Sequence, residues 1–189
     1  SWKKLKVFSE KNDAPEIYAL AQVLKISAWH KTLECFGPMP YTHAADPTMN
    51  IPFDSEKAVY TAMFQDLTDA IDVLTEKAVN GIKVMEEYDA VYAGDTRKWV
   101  KYANSLMLRL AIRVRFADEE MAKKYAIQAV GHSIGVMTAR DDEAQMSAGA
   151  GITFRNNIEW LSETYEESRM GSSIFSYLMG YADPRLGAY

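Results

Sequence analysis

Residues 88–114 read YDAVYAGDTRKWVKYANSLMLRLAIRV, and the order of residue types in this stretch decides the fold class. Trp99, Ala103, Leu106, Leu110 and Val114 recur at three-and-four spacing, which predicts an apolar stripe along a helix. Gly94 and Asp95 interrupt the chain just before it, and Thr96 is placed to cap it. The pattern carries the helix to about Phe116.

The same pattern extends outward in both directions. Asp54 or Ser55 caps a preceding helix whose stripe is Val59, Met63, Leu67, Ala70, Ile71 and Leu74. Asp66, Asp69 and Asp72 fall mainly on its other side, and it ends before Asn80 and Gly81. Further back, Asn12 and Asp13 can cap a helix with Pro15 in its first turn, and Ile17, Leu20, Ala21, Leu24 and Ala28 then mark its apolar positions up to Phe36. Between these two helices, residues 37–54 (GPMPYTHAADPTMNIPFD) hold four of the six prolines, which predicts an extended loop. On the carboxyl side, a helix is expected from Asp118 to Val130, with Asp118, Glu119 and Glu120 at the positive end of its dipole.

Beyond Gly131 the pattern weakens, and Gly135, Gly149 and Gly151 punctuate what is expected to be mostly loop, with a turn over Ser133 to Ala139. Regularity returns in Glu159 to Glu167 and in a last helix from Ser172 to Tyr181, closed by Asp183 and Pro184. No segment alternates with period two, so the class is all-α, built from helices that pack as antiparallel hairpins. Trp99, Tyr102 and Ala103 sit at tetratricopeptide-like offsets, but the later positions of that repeat are not met, so the pattern alone leaves a helical repeat open.

Composition narrows the function. The 189 residues are 48% hydrophobic and 25% charged, as in globular domains. A formal charge of -5 argues against nucleic acid as the partner, since phosphate recognition needs a surplus of Lys and Arg. Arg109, Arg113 and Arg115 lie within a helical pattern and read as a solvated or ion-paired face. No run of 18 apolar residues occurs, and the first residues lack the zones of a signal peptide. With Cys35 alone, no internal disulfide can form and zinc sites built on several thiolates are excluded.

No constellation argues for catalysis. His30 and Glu34, one turn apart, could offer two metal ligands, but a third is missing and a solvated pair is the favoured reading. The carboxylates at Glu86, Glu87 and Asp89, at Asp141, Asp142 and Glu143, and at Glu163, Glu166 and Glu167 read as solvated faces rather than acid and base partners. GHSIG at 131–135 matches a nucleophile elbow in letters only, because it follows a helix and no histidine comes after Ser133. The expectation is no catalytic residue, no metal and no cofactor. The 4 Trp, 11 Tyr and 7 Phe are the remaining resource, with Trp99 assigned to the core and Tyr41, Tyr88 and Tyr92 as candidates for an exposed ring.

Three blocks in order resemble the SusD/RagB family, especially its SusD-like branch: GPMPYTHA at 37–44, PFDSEKAVYTAMFQDLTDAIDVL at 52–74, and residues 88–114. In the last block Gly94, Asp95, Lys98, Trp99, Lys101, Ala103 to Leu106, Leu108 to Ala111 and Arg113 match the family in register. Asp183 to Leu186 resemble a further signature, whereas Pro38 and His43 stand where the family commonly has Asp and Glu. The resemblance spans about residues 14–189, weakest over 133–160. It implies tetratricopeptide-like helical hairpins with long loops, forming a single domain over 1–189 that is truncated at both ends. It also implies a lipoprotein exposed on the outer membrane of a Gram-negative bacterium, held by a lipid anchor outside this chain. Such a protein captures glycans, or in some cases peptides, without cleaving them and passes them to a SusC-like TonB-dependent transporter. The ligand-binding residues expected on this reading are Tyr41, His43, Tyr88 and Tyr92. The alternative is a helical-repeat module that binds peptides or proteins through a groove.

Overall fold

The computed structural model describes residues 2–146 and 157–188. Its contacts divide the chain into two compact units, 1–147 and 148–189. The expectation of loop around Gly149 and Gly151 lies outside the described residues.

The first unit is a succession of helices: α1 (Trp2–Lys11), α2 (Pro15–Phe36), α3 (Glu56–Val79), α4 (Thr96–Val114) and α5 (Glu119–Gly131), followed by a 3-10 turn, Arg140–Asp142. Each helix packs on the next in sequence. Polar pairs give the directions. Glu16 near the start of α2 meets Lys77 near the end of α3 at 3.2 Å, and Lys25 meets Asp66 at 2.8 Å, so α2 and α3 are antiparallel. Lys57 meets Asp118 at 3.0 Å, Gln128 donates to Thr68 at 3.1 Å, and Thr75 meets His132 at 3.3 Å, so α3 and α5 are parallel. The Ser27 hydroxyl bonds the Tyr102 hydroxyl, and Arg113 lies 3.9 Å from Glu34, so α2 and α4 are also parallel. This unit is thus an all-α array of up-and-down hairpins. Among the described residues the sole pairing of β type is an isolated bridge between Met39 and Asp54.

The α3 stripe is buried as the spacing predicts, from Val59 through Leu74, and Trp99, Ala103, Leu106, Leu110 and Val114 of α4 are buried with it. Fully burying each such aliphatic side chain contributes roughly 1.5–3 kcal/mol. Phe64 of α3 stacks on Tyr125 of α5 at 4.1 Å between centroids, which fixes the spacing of those helices. Ser55 caps α3 through the Ala58 amide, and Asp118 caps α5 through the Met121 amide. Gly37 ends α2 at φ +76°, donating to the Leu33 carbonyl at 2.9 Å.

Four features differ from the sequence reading. The helix α1 was not expected, because its apolar residues Leu5, Val7 and Phe8 are largely exposed and give no core stripe. The cap of α4 is Asp95, whose carboxylate accepts from the Lys98 amide at 3.1 Å; Thr96 turns inward and donates to the Ile82 carbonyl. The buried face of α2 is Ala19, Leu20, Val23, Ile26 and Leu33, interleaved with the polar Gln22 and His30, while Leu24 is 49% exposed. Those two polar residues break the apolar stripe that spacing alone would follow. His30, read as solvated, is in fact buried.

The second unit holds α6 (Asn157–Glu163), α7 (Ser172–Gly180) and a 3-10 turn over Pro184–Ala188 that packs on α7. The helix expected up to Glu167 stops at Glu163. Asp183 accepts two hydrogen bonds from the Arg185 guanidinium and one from the Arg185 amide, and these hold its carboxyl down at about 2. Among the described residues no helix is long and apolar enough to cross a membrane.

Candidate functional site

Tyr18, Gln22 and Lys25 fall at i, i+4 and i+7 on α2, and Asp66, Asp69 and Val73 fall at i, i+3 and i+7 on α3, so each set lines one face of its helix. With Trp2 and Lys6 from α1 they enclose two cavities of about 300 Å³ and about 450 Å³. Both cavities are lined by Lys6, Tyr18, Gln22 and Asp66, so they form one groove.

The groove has a fixed polar wall. Asp66 accepts from the Lys25 ammonium at 2.8 Å and from the Tyr41 hydroxyl at 2.7 Å. Lys25 also lies 4.5 Å from the Tyr41 ring centroid and 5.7 Å from that of Trp2, a cation between two aromatic faces. Trp29 presses its edge on both rings, at 4.7 Å from Trp2 and 5.8 Å from Tyr41. Burial pulls the Lys25 ammonium below its ordinary value, against the opposing pull of Asp66. Burial, with Asp66 beside it, pushes the Tyr41 phenol far up, so its proton stays in place as a hydrogen-bond donor. Burial first, and then Asp66 and Glu10, also raise the Tyr18 phenol. Gln22 is 5% exposed, and its Oε1 has no hydrogen-bond partner among the described residues.

Tyr41 reaches this wall because its loop folds around one carboxylate. Asp54 accepts from the Tyr41 and Thr42 amides at 2.9 and 2.8 Å and from the Thr42 hydroxyl. His43 stands exposed, 3.0 Å from Asp46, which also pairs with Lys3 of α1, a residue of the groove lining. The loop predicted as extended is therefore tied to α1, to α3 and to itself. Tyr41, a candidate for an exposed ring, is 5% exposed on a loop tucked against the helices, because its hydroxyl finds its acceptor inside, on α3.

The loop between α3 and α4 is built in the same way on Asp89, which accepts from the amides of Val91, Tyr92 and Gly94 and from the Trp99 indole at 2.7 Å. Gly94 has φ +79°, and a Cβ there would lie 2.9 Å from the Glu86 Cα, so no side chain fits. Tyr88 is 79% exposed. Tyr92 is buried edge-on to Trp99 and donates to the Asp142 carbonyl at 2.6 Å; burial and its neighbours Tyr102 and Asp142 push its phenol up to about 12. Asp142, read as part of a solvated cluster, is buried: Lys101 at 2.7 Å and the Thr138 and Ala139 amides hold its carboxyl at about 2. A second, polar cavity of about 480 Å³ opens here between Asp89, Tyr92, Lys98, Arg140 and Asp141.

The four residues expected at the site do not form one cluster. Tyr41 and His43 precede α3, Tyr88 and Tyr92 follow it, and α3 is about 36 Å long at 1.5 Å per residue. The cavity beside Tyr41 and the cavity beside Tyr92 share no lining residue. Trp2, Tyr18, Gln22 and Asp66 were missed. The row Tyr18, Gln22, Lys25 was readable from spacing, but which face of α2 would meet a neighbouring helix was not.

A family model for SusD-like proteins, described as Susd and RagB outer membrane lipoprotein, matches residues 1–189. A chitin-binding SusD homolog from Flavobacterium johnsoniae superposes with TM-score 0.84 at 32% identity, covering 94% of this chain and 37% of that one. A SusD homolog from Bacteroides uniformis gives TM-score 0.84 at 35% identity, with 100% and 39% covered. A SusD-like protein from Bacteroides thetaiotaomicron gives 0.80 at 34%, with 96% and 38% covered. The chain therefore spans less than two fifths of the length of these structures. No curated protein matches it.

Proposed function

The chain belongs to the SusD-like family of outer membrane lipoproteins, and from that premise we propose that it is part of a cell-surface protein that captures oligosaccharides and passes them, uncleaved, to a SusC-like TonB-dependent transporter. The observation that carries this reading is the groove of α1, α2 and α3, where the rings of Trp2 and Tyr18 stand beside the Asp66 and Asp69 carboxylates and the Gln22 amide. Rings take the apolar face of a sugar, and carboxylates and amides take its hydroxyls. The chitin-binding relative from F. johnsoniae supports the choice of a glycan.

The expected contact residues divide on this reading. Tyr88 and His43, both exposed, touch ligand at two separate rims, while Tyr41 and Tyr92 act from behind, Tyr41 by orienting Asp66 and Lys25 and Tyr92 by shaping the polar cavity. On this reading catalysis plays no part: Asp66 is engaged by Lys25 and Tyr41, and Asp142 by Lys101, so neither stands free to serve as the acid or base of glycoside cleavage.

The test is calorimetric titration of the native protein with chitin oligosaccharides and with peptides, followed by chromatography of the recovered ligand. Glycan binding at micromolar to millimolar affinity with the ligand recovered intact is the expected result. Binding of peptides alone would replace this reading with the peptide-binding module, and cleavage products would refute the non-catalytic role.

A further inference from the structure

A second cleft lies between α2 and α4. Ser27, His30 and Lys31 fall at i, i+3 and i+4 on α2, and Tyr102, Ser105 and Arg109 fall at i, i+3 and i+7 on α4. Both rows line a cleft of about 420 Å³. The hydroxyls of Ser27 and Tyr102 meet across it, and Ser105 is held by the Met137 amide and the Lys101 carbonyl.

Its charge is one-sided. Lys31 and Arg109 are the charged side chains of the lining, and no carboxylate accompanies them, in a chain whose 26 acidic residues outnumber its 21 basic ones. Neither cation has an ion pair or hydrogen bond with a described residue. The other cations nearby are engaged, Lys101 by Asp142 and Arg113 by Glu34. Beneath them lies His30, 3% exposed; its Nδ1 donates to the Ile26 carbonyl at 2.9 Å, and its Nε2 has no partner among the described residues. Buried polar atoms without partners are uncommon, and this one lies under three hydroxyls and two cations that are unpaired among the described residues.

We propose that this cleft binds an acidic sugar unit, with Lys31 and Arg109 holding its oxyanion, either a uronic acid carboxylate or a sulfate ester, and the Ser27, Tyr102 and Ser105 hydroxyls meeting its ring hydroxyls. The proposal rests on the glycan-capture reading for its ligand class but not for its site. Guanidinium takes an oxyanion through two parallel hydrogen bonds, and ammonium adds a point charge. The cleft then selects acidic from neutral glycans, while the groove of α1, α2 and α3 takes neutral units.

The experiment titrates the native protein at low salt with an oligogalacturonide, a sulfated galactan oligosaccharide, a neutral chitin oligosaccharide and inorganic sulfate, and repeats each titration with the Lys31→Gln, Arg109→Gln double variant. Both side chains are exposed, so the variant is expected to melt with the wild type. At least one acidic saccharide is expected to bind, tenfold or more weaker in the variant, with the neutral oligosaccharide unchanged; which acidic ligand responds identifies carboxylate or sulfate as the source. The proposal is overturned if acidic saccharides bind equally to both proteins or not at all, or if inorganic sulfate alone responds. Loss of neutral binding in the wild type itself would strike the capture reading instead, and the acidic titrations would still decide the cleft.

Discussion

The two long loops flanking α3 are each organised by one aspartate, but at different depths. Asp54 gathers the amides of Tyr41 and Thr42 and the Thr42 hydroxyl, and Thr42 is exposed. Asp89 gathers three amides and the indole of Trp99, a core residue of α4. A carboxylate that satisfies a buried indole ties its loop to the core, whereas Asp54, two of whose donors are the exposed amide and hydroxyl of Thr42, competes with water for them. The first loop compensates by sending its tyrosine into the wall of the groove. The second keeps its tyrosine under the loop and leaves Tyr88 outside.

The widest separation between the loops is expected from Asp89→Ala, which strands three amides and an indole and should lower stability by on the order of 3 kcal/mol in urea titrations. Asp54→Ala should cost about 1 kcal/mol. Equal losses would break the comparison. Next in size, Gly94→Ala forces a Cβ against the Glu86 backbone at positive φ and should cost about 2 kcal/mol, more than Gly37→Ala, whose added Cβ meets only the flexible end of Glu56.

Acid should sharpen the contrast. Burial acts to raise both carboxyls, but hydrogen bonds from Thr42 and Tyr41 on Asp54, and from Trp99, Gly94, Val91 and Tyr92 on Asp89, bring each below its ordinary value. A depressed carboxyl contributes stability that is fully present above the unfolded value of about 3.9 and lost as pH falls through the folded one. Melting temperature should therefore fall below about pH 4, and the fall should be shallower in Asp89→Asn than in wild type. The smallest effect is expected from Tyr88→Ala, within about 0.5 kcal/mol of wild type because the ring is exposed, with glycan affinity reduced if Tyr88 touches ligand.

The contrast also explains what the sequence reveals. The α3 stripe is unbroken by polar residues, and in α4 the buried Thr96 and Asn104 leave the spacing from Trp99 to Val114 intact, so spacing finds both, and the Gly94–Asp95–Trp99 block identifies the family because each of those residues is fixed by backbone geometry or core packing. The helix α2 is less legible: it meets α1, α3 and α4, and Gln22 and His30 interrupt its buried face. Those same two residues carry polar atoms without partners among the described residues, at the groove and at the cleft. Asp89 and Asp142 look solvated in sequence because their partners lie 10 and 41 residues away, at Trp99 and Lys101. Pairing across such distances depends on how the helices pack, which local spacing does not encode.

The most direct test of the groove is the affinity of the native protein for a chitin oligosaccharide in Gln22→Met, measured by calorimetry beside a melting curve. Methionine keeps the volume and removes a buried amide whose oxygen is unpartnered, so the melting temperature should hold or rise. The account predicts that affinity falls about tenfold while the fold is retained, as expected for a lost hydrogen bond of about 1.4 kcal/mol. Unchanged affinity in the stable variant would contradict the assignment of the groove as the glycan site.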